Sequence, residues 1–142
     1  MMIINRLTDY ATLLICEMVN NGENFASAKY LSKRTKISEA TTTKVLKMLV
    51  RNGLLKSYRG HTGGYRLKES PSKIRIFDII TAIEGDISLT LCGMDNSCKY
   101  NAGCKVKHGW NKLNNILMQA LQDFTLKDFV DDKTNFQLKK IG

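Results

Sequence analysis

Residues 59–67 read RGHTGGYRL, three glycines and two arginines in nine positions, directly after the segment LLKSY at 54–58. Glycine-rich stretches beside cations approach phosphates in two settings, the phosphate loop of a nucleotide-binding enzyme and the tip of a hairpin against a nucleic-acid backbone. The first requires a Gly-Lys-Ser/Thr after the glycines and a long apolar strand before them, and this stretch has neither. Two short strand-like segments, LLKSY and YRL, around a glycine-containing turn predict a β-hairpin instead. Glycines 60, 63 and 64 let its tip turn tightly, and Arg59 and Arg66 flank it, Arg59 being placed to enter a narrow minor groove.

Upstream, three helices are expected. The first runs from about Thr8, read as its N-cap, with Asp9 in the first turn and Gly22 as the stop. The second starts at the cap Ser27 and runs through AKYLSKR to about Thr35. After the turn TKI, Ser38 caps a third that ends near Asn52-Gly53. Two helices joined by a three-residue turn read as helix-turn-helix. Projected at 100° per residue, the third helix gathers Val45, Met48 and Leu49 on one side, with Leu46 at the border. Ala40, Thr43, Lys44, Lys47 and Arg51 gather on the other. Small and hydroxyl residues at the start of an exposed helix face, with bases further along, suit entry into a major groove flanked by phosphates. An ordinary solvated helix face also carries lysines. The hairpin that follows favours the DNA reading, because helix-turn-helix plus hairpin is a winged helix.

The charge is distributed accordingly. Of the net +9, residues 1–70 hold 12 Lys/Arg against 5 Asp/Glu, and residues 71–142 hold 10 against 8. A basic first half calls for a polyanionic partner. No apolar run reaches the length of a membrane span, since Ala11–Val19 is interrupted by Thr12 and Glu17, and MMIINR is not a signal peptide. A cytoplasmic protein without a membrane partner is expected.

Past Pro71, the segment KIRIFDIITAIEG has helical spacing of Ile76, Ile79, Ile80 and Ile83, ended by Gly85. Residues 86–105 have no sustained period and hold Cys92, Cys98 and Cys104, with His108 four residues on. Three thiols in 13 residues of loop can converge on one metal centre, and soft thiolates suit iron–sulfur clusters or zinc. The spacing departs from the C-x-x-C knuckle of common zinc sites. Cys16, inside an apolar helix, reads as a core residue. From about Lys105 to Phe124 a helix returns with the stripe Trp110, Leu113, Ile116, Leu117, Ala120, Leu121 and Phe124, which fits either a core or a dimer seam. TLKDFV at 125–130 forms a further turn.

These residues resemble the winged-helix iron–sulfur transcription regulators that include IscR, the nitric-oxide-sensing NsrR and the SUF-operon regulators. The resemblance spans about residues 3–130. It is carried by LTDYATLL (7–14), VLKMLVRNGLL (45–55), RGHTGGYRL (59–67), IITAIEG (79–85) and the C-x5-C-x5-C loop with Trp110 behind it. The opening and KVLKMLVRNGLL look closest to the SUF regulators. The resemblance implies a mainly α fold with a small β-hairpin wing, a homodimer whose C-terminal helices cross, and a double-stranded DNA operator as partner.

Residues 1–85 would form the winged helix-turn-helix, 86–108 the cluster loop, 105–130 the dimerisation helix and 131–142 a mobile tail. Ser38, Ala40, Thr43, Lys44, Lys47, Arg51 and Arg59 would face DNA. Cys92, Cys98 and Cys104 would hold an iron–sulfur cluster, 2Fe–2S before 4Fe–4S. The fourth ligand departs from the pattern: in IscR the histidine stands three residues after the last cysteine, here four, and in the SUF regulators there is none. His108 is preferred because a ligand local to the loop costs less closure entropy than one brought across a dimer, and a helix starting near Cys104 would put 104 and 108 on one face. The alternative is Asp9 of the partner protomer, in a TDY motif like that of NsrR. No catalytic constellation is visible, so no enzyme is expected. A structural zinc site, a nitric-oxide-sensing repressor and a small electron carrier are the competing functions.

Overall fold

The first helix, α1 (Arg6–Asn20), begins two residues before Thr8, and Asn5 rather than Thr8 caps it, its side chain accepting the Leu7 N–H at 3.0 Å. Thr8 is buried instead, and its hydroxyl donates to Glu84 at 2.6 Å. The protein is described here by a computed structural model that covers residues 4–22, 25–94, 98–100 and 102–132. The expected polar tail lies outside these residues from 133 onward.

After α1 come β1 (Phe25–Ala26), α2 (Ala28–Thr35), α3 (Glu39–Arg51), β2 (Leu55–Tyr58) and β3 (Gly64–Leu67). Ser27 caps α2 and Ser38 caps α3, as their sequence positions lead one to expect. The turn between the two helices works through Lys36, whose left-handed φ of 60° ends α2. It is held by the Ser32 hydroxyl donating to the Ile37 carbonyl at 2.6 Å. Along α1, Ala11, Leu14, Ile15 and Met18 are fully buried at helical spacing, and they meet Leu31 of α2 and Val45 and Leu49 of α3 in one core. Burying each large aliphatic side chain contributes about 1.5–3 kcal/mol. Leu46 is also fully buried and does not lie at a border, whereas Met48 is half-exposed. The reason is that α3 is enclosed on several sides, by α1, α2, β2 and the following helix.

The hairpin is part of a three-stranded antiparallel sheet in the order β1-β3-β2, with Phe25 and Lys56 both opposite Arg66 and Leu55 opposite Leu67. Strand β1 has only two residues, too few for any alternation to show in the sequence. Leu55 and Leu67 are buried beneath the sheet, while Lys56, Tyr58 and Arg66 are exposed.

Helix α4 (Ile76–Glu84) ends at Gly85, whose φ of 78° takes the left-handed side that glycine tolerates. Its end is bound to α3 by Asn52, whose amide donates to Met48 O at 2.9 Å and Ala82 O at 3.1 Å. A single 3-10 turn, Leu91–Gly93, precedes α5 (Lys107–Asp123). The chain then breaks at Phe124, and α6 (Leu126–Val130) starts afresh from Thr125, capped by mutual hydrogen bonds with Asp128. This last helix returns to the winged body: Leu126 is fully buried, and its N–H donates to Ile74 O at 2.8 Å. Among the described residues no helix is long and apolar enough to cross a membrane.

Candidate nucleic-acid interface and cysteine segment

Helix α3 has two chemically distinct sides. Thr42, Val45, Leu46 and Leu49 are buried, while Ala40, Lys44, Lys47 and Arg51 are exposed and Thr43 is half-exposed. These five outward residues, with Met48, line a shallow concavity of about 510 Å³ along the helix. Ser38, at its start, is exposed but occupied as a cap, its hydroxyl donating to Thr41 Oγ1 at 2.9 Å. A second concavity of about 440 Å³ joins Lys47 to the base of the wing at Arg59 and Gly60 and to the start of α2 at Ser27 and Ala28. The two concavities meet at Lys47, so α3 and the wing line adjoining parts of one basic surface.

The wing can turn this tightly because of its glycines. Gly60 has φ 109°, and a Cβ at Gly63 would stand 2.6 Å from Tyr58 O and 2.7 Å from Gly60 O. On the outer face of the sheet, Arg66 lies 5.6 Å from the centre of the Phe25 ring and Lys56 5.8 Å from that of Tyr58. Cations over aromatic faces are held in place while keeping their charge. The sequence reading missed Lys56 and the aromatic platform beneath these cations. Their alternation in LKSY and GYRL is the signal, but its outer face gains meaning only with β1 in place.

The cysteine segment is of another character. Cys92, Cys98 and Cys104 are each half-buried, and none forms a disulfide. The Cys92 thiol lies 3.0 Å from the Thr90 hydroxyl. Among the described residues no three His, Cys, Asp or Glu side chains gather closely enough to hold a metal ion. The donor set suits an iron–sulfur centre by its chemistry, three unpaired thiols on one segment. Helix α5 starts at Lys107, so Cys104 precedes it and the i, i+4 relation to His108 is absent; His108 is exposed in the first turn. Asp9 is exposed in the first turn of α1. Cys16 stands apart from all of these, packed against the core, where burial pushes its thiol up to about 11. At neutral pH that thiol stays protonated.

The stripe along α5 is uncovered. Trp110 is 42% exposed, Leu113 47% and Ile116 37%, and only toward the C-terminal end do Leu121 and Phe124 pack against the core.

A basic concave face built from a helix-turn-helix and a wing, in a chain that carries a three-thiol segment before α5, has counterparts among known proteins. The family model of Rrf2, described as an iron-dependent transcriptional regulator, matches residues 4–132. The chain belongs to the Rrf2 family. It is 30% identical over 130 residues to the HTH-type transcriptional regulator NsrR of Bacillus licheniformis, covering 89% of this chain and 91% of that one. The structure of CymR, the global cysteine regulator of B. subtilis, has a TM-score of 0.72 at 27% identity and covers 92% of this chain and 97% of its own. T. potens IscR has a TM-score of 0.69 at 25% identity, with coverages of 98% and 93%. This Rrf2 protein is a winged-helix, DNA-binding transcription regulator and not an enzyme.

Proposed function

We propose that this Rrf2 protein is a homodimeric regulator whose DNA binding reports the loading of an iron–sulfur cluster held by Cys92, Cys98 and Cys104. The observation that carries this reading is the position of the three thiols. They occupy one segment between the winged body and the start of α5, all half-buried and none in a disulfide. The family's description as iron-dependent supports it. A cluster, when bound, supplies a centre whose presence depends on iron supply and oxidants; the chain's own part is to hold it and connect it to the DNA-reading face. The fourth ligand is His108, local to the segment, or Asp9 of the partner subunit.

The exposed apolar stripe of Trp110, Leu113 and Ile116 supports a second copy as its cover, since an uncovered stripe of this kind on a regulator marks an interface. A dimer presents two recognition helices to two half-sites of one operator. Ala40, Thr43, Lys44, Lys47 and Arg51 face the major groove, Ser38 stands at its edge, and Arg59 with the wing reaches the minor groove. The cytoplasm, where thiols stay reduced, is the compartment this chemistry needs.

The test is protein purified without oxygen, with iron, acid-labile sulfide and zinc counted per chain. Iron and sulfide with visible absorption support the reading. Colourless protein with stoichiometric zinc replaces it by a structural metal site.

A further inference from the structure

Seventeen residues make up α5, and just one of them is buried: Asn114, a polar residue, while Leu113 and Ile116 around it are exposed. A buried amide is costly unless its hydrogen bonds are made, so its surroundings explain its presence. Its side-chain oxygen accepts the Leu89 N–H at 3.0 Å and lies 3.2 Å from the Ser88 hydroxyl. That hydroxyl also lies 2.9 Å from Thr90 O and receives the Thr90 N–H at 3.4 Å. The Thr90 hydroxyl in turn lies 3.0 Å from the Cys92 sulfur. The 3-10 turn carrying Cys92 is closed by the Gly93 N–H donating to Thr90 O at 3.0 Å. Gly93 fits here because a Cβ would overlap the Ser88 hydroxyl and come within 3.3 Å of the Asn114 amide nitrogen. A continuous set of contacts thus runs from the middle of α5 to the first thiol of the cysteine segment.

We propose that Asn114 is a positioning residue for Cys92. Through Leu89 N–H and the Ser88 and Thr90 hydroxyls it fixes where that thiol stands relative to α5, so that the ligand segment and the helix move as one body. The inference rests on the reading of Cys92 as a cluster ligand only in its consequence for loading. The placement of the thiol is a property of the metal-free chain as well.

The experiment uses the full chain in three variants, Asn114→Leu, Asn114→Asp and Ser88→Ala. Asn114→Asp keeps the acceptor oxygen, and Asn114→Leu removes it. In reduced, metal-free protein, two rates are read by mass spectrometry: amide exchange over residues 88–94, and N-ethylmaleimide labelling of Cys92 relative to Cys104. Loss of these hydrogen bonds raises both by at least about tenfold in Asn114→Leu and Ser88→Ala, and Asn114→Asp stays near the parent. Protein loaded without oxygen then loses iron to a chelator faster in Asn114→Leu than in the parent. A parent chain that takes up no iron refutes the cluster reading, and the two metal-free rates still decide the role of Asn114. Parent-like rates in a folded Asn114→Leu overturn the proposal. If that variant does not fold, Ser88→Ala decides by the same rates, an increase supporting the proposal and no increase overturning it.

Discussion

The winged body and α5 solve the burial problem differently. In the body, α1 to α4 and α6 bring their apolar sides into one core where Leu14, Leu31, Leu49, Ile79 and Leu126 are fully buried. Along α5 the relation is inverted: Trp110, Leu113 and Ile116 are exposed, and the buried position holds an asparagine. Both helices α1 and α5 are amphipathic in sequence, so periodicity alone does not tell them apart. What differs is the availability of partners within one chain. The body buries its apolar sides within the chain, whereas the first half of α5 leaves Trp110, Leu113 and Ile116 exposed, the feature on which the proposed dimer rests.

That contrast is broken most severely from the side of the body. Leu49→Ala removes a fully buried side chain of α3 and is expected to destabilise the chain by about 2–5 kcal/mol, read from the denaturant midpoint. A small effect there would mean that the core of the DNA-reading helix is not the packed unit described above. Next comes thiol chemistry. Burial raises the Cys16 thiol from 9.0 to about 11, so at pH 8 it holds on the order of a hundredfold less reactive thiolate than an unperturbed thiol. Maleimide labelling of the native, metal-free chain should spare Cys16, and unfolding should expose it. The sign for stability follows from the same shift: the folded state favours the protonated form, so stability is constant below about pH 9 and falls as pH rises toward 11.

The DNA-reading face should separate into two kinds of residue. Arg59→Ala is expected to weaken operator binding by about 1–3 kcal/mol and relax its sequence preference. Lys47→Ala should weaken all sequences alike and reduce the salt slope by about 0.9. Unchanged operator affinity in Arg59→Ala would remove the wing from the interface. The smallest effect on the fold belongs to α5. Leu113→Asp places a charge on an exposed position and should leave helical content unchanged, while sedimentation moves from dimer to monomer because the charge is costly inside an apolar seam. A variant that stays dimeric would place the seam elsewhere.

Much of the body is legible in the sequence. Ser27 and Ser38 as caps, Gly85 as a stop and the glycines of 60–64 are local signals, and local chemistry decided them. The errors lie where distant partners intervene. Thr8 has the residue type of a cap, but the carboxylate of Glu84 draws it inward and leaves the cap to Asn5. Leu46 sits at the edge of the helical projection and is buried because α3 is packed on by α1, α2, α4 and β2 rather than on one side alone. The periodicity of α5 predicts a helix from about Cys104, yet α5 starts at Lys107, so a shared helix face no longer brings His108 toward Cys104. Asn114 gives no signal in a linear reading, since its partners Ser88 and Leu89 are some 25 residues away.

Under the proposed function two regions are joined: the basic winged face reads DNA, and the thiol segment beside α5 sets its affinity. Operator binding of one preparation before and after cluster removal, at fixed salt and without oxygen, tests that joining most directly. The account predicts that the two forms differ in operator affinity by at least about fivefold, the lower end of ordinary coupling between sites, while their non-specific binding stays equal. Equal operator affinity of the loaded and the metal-free protein would contradict it.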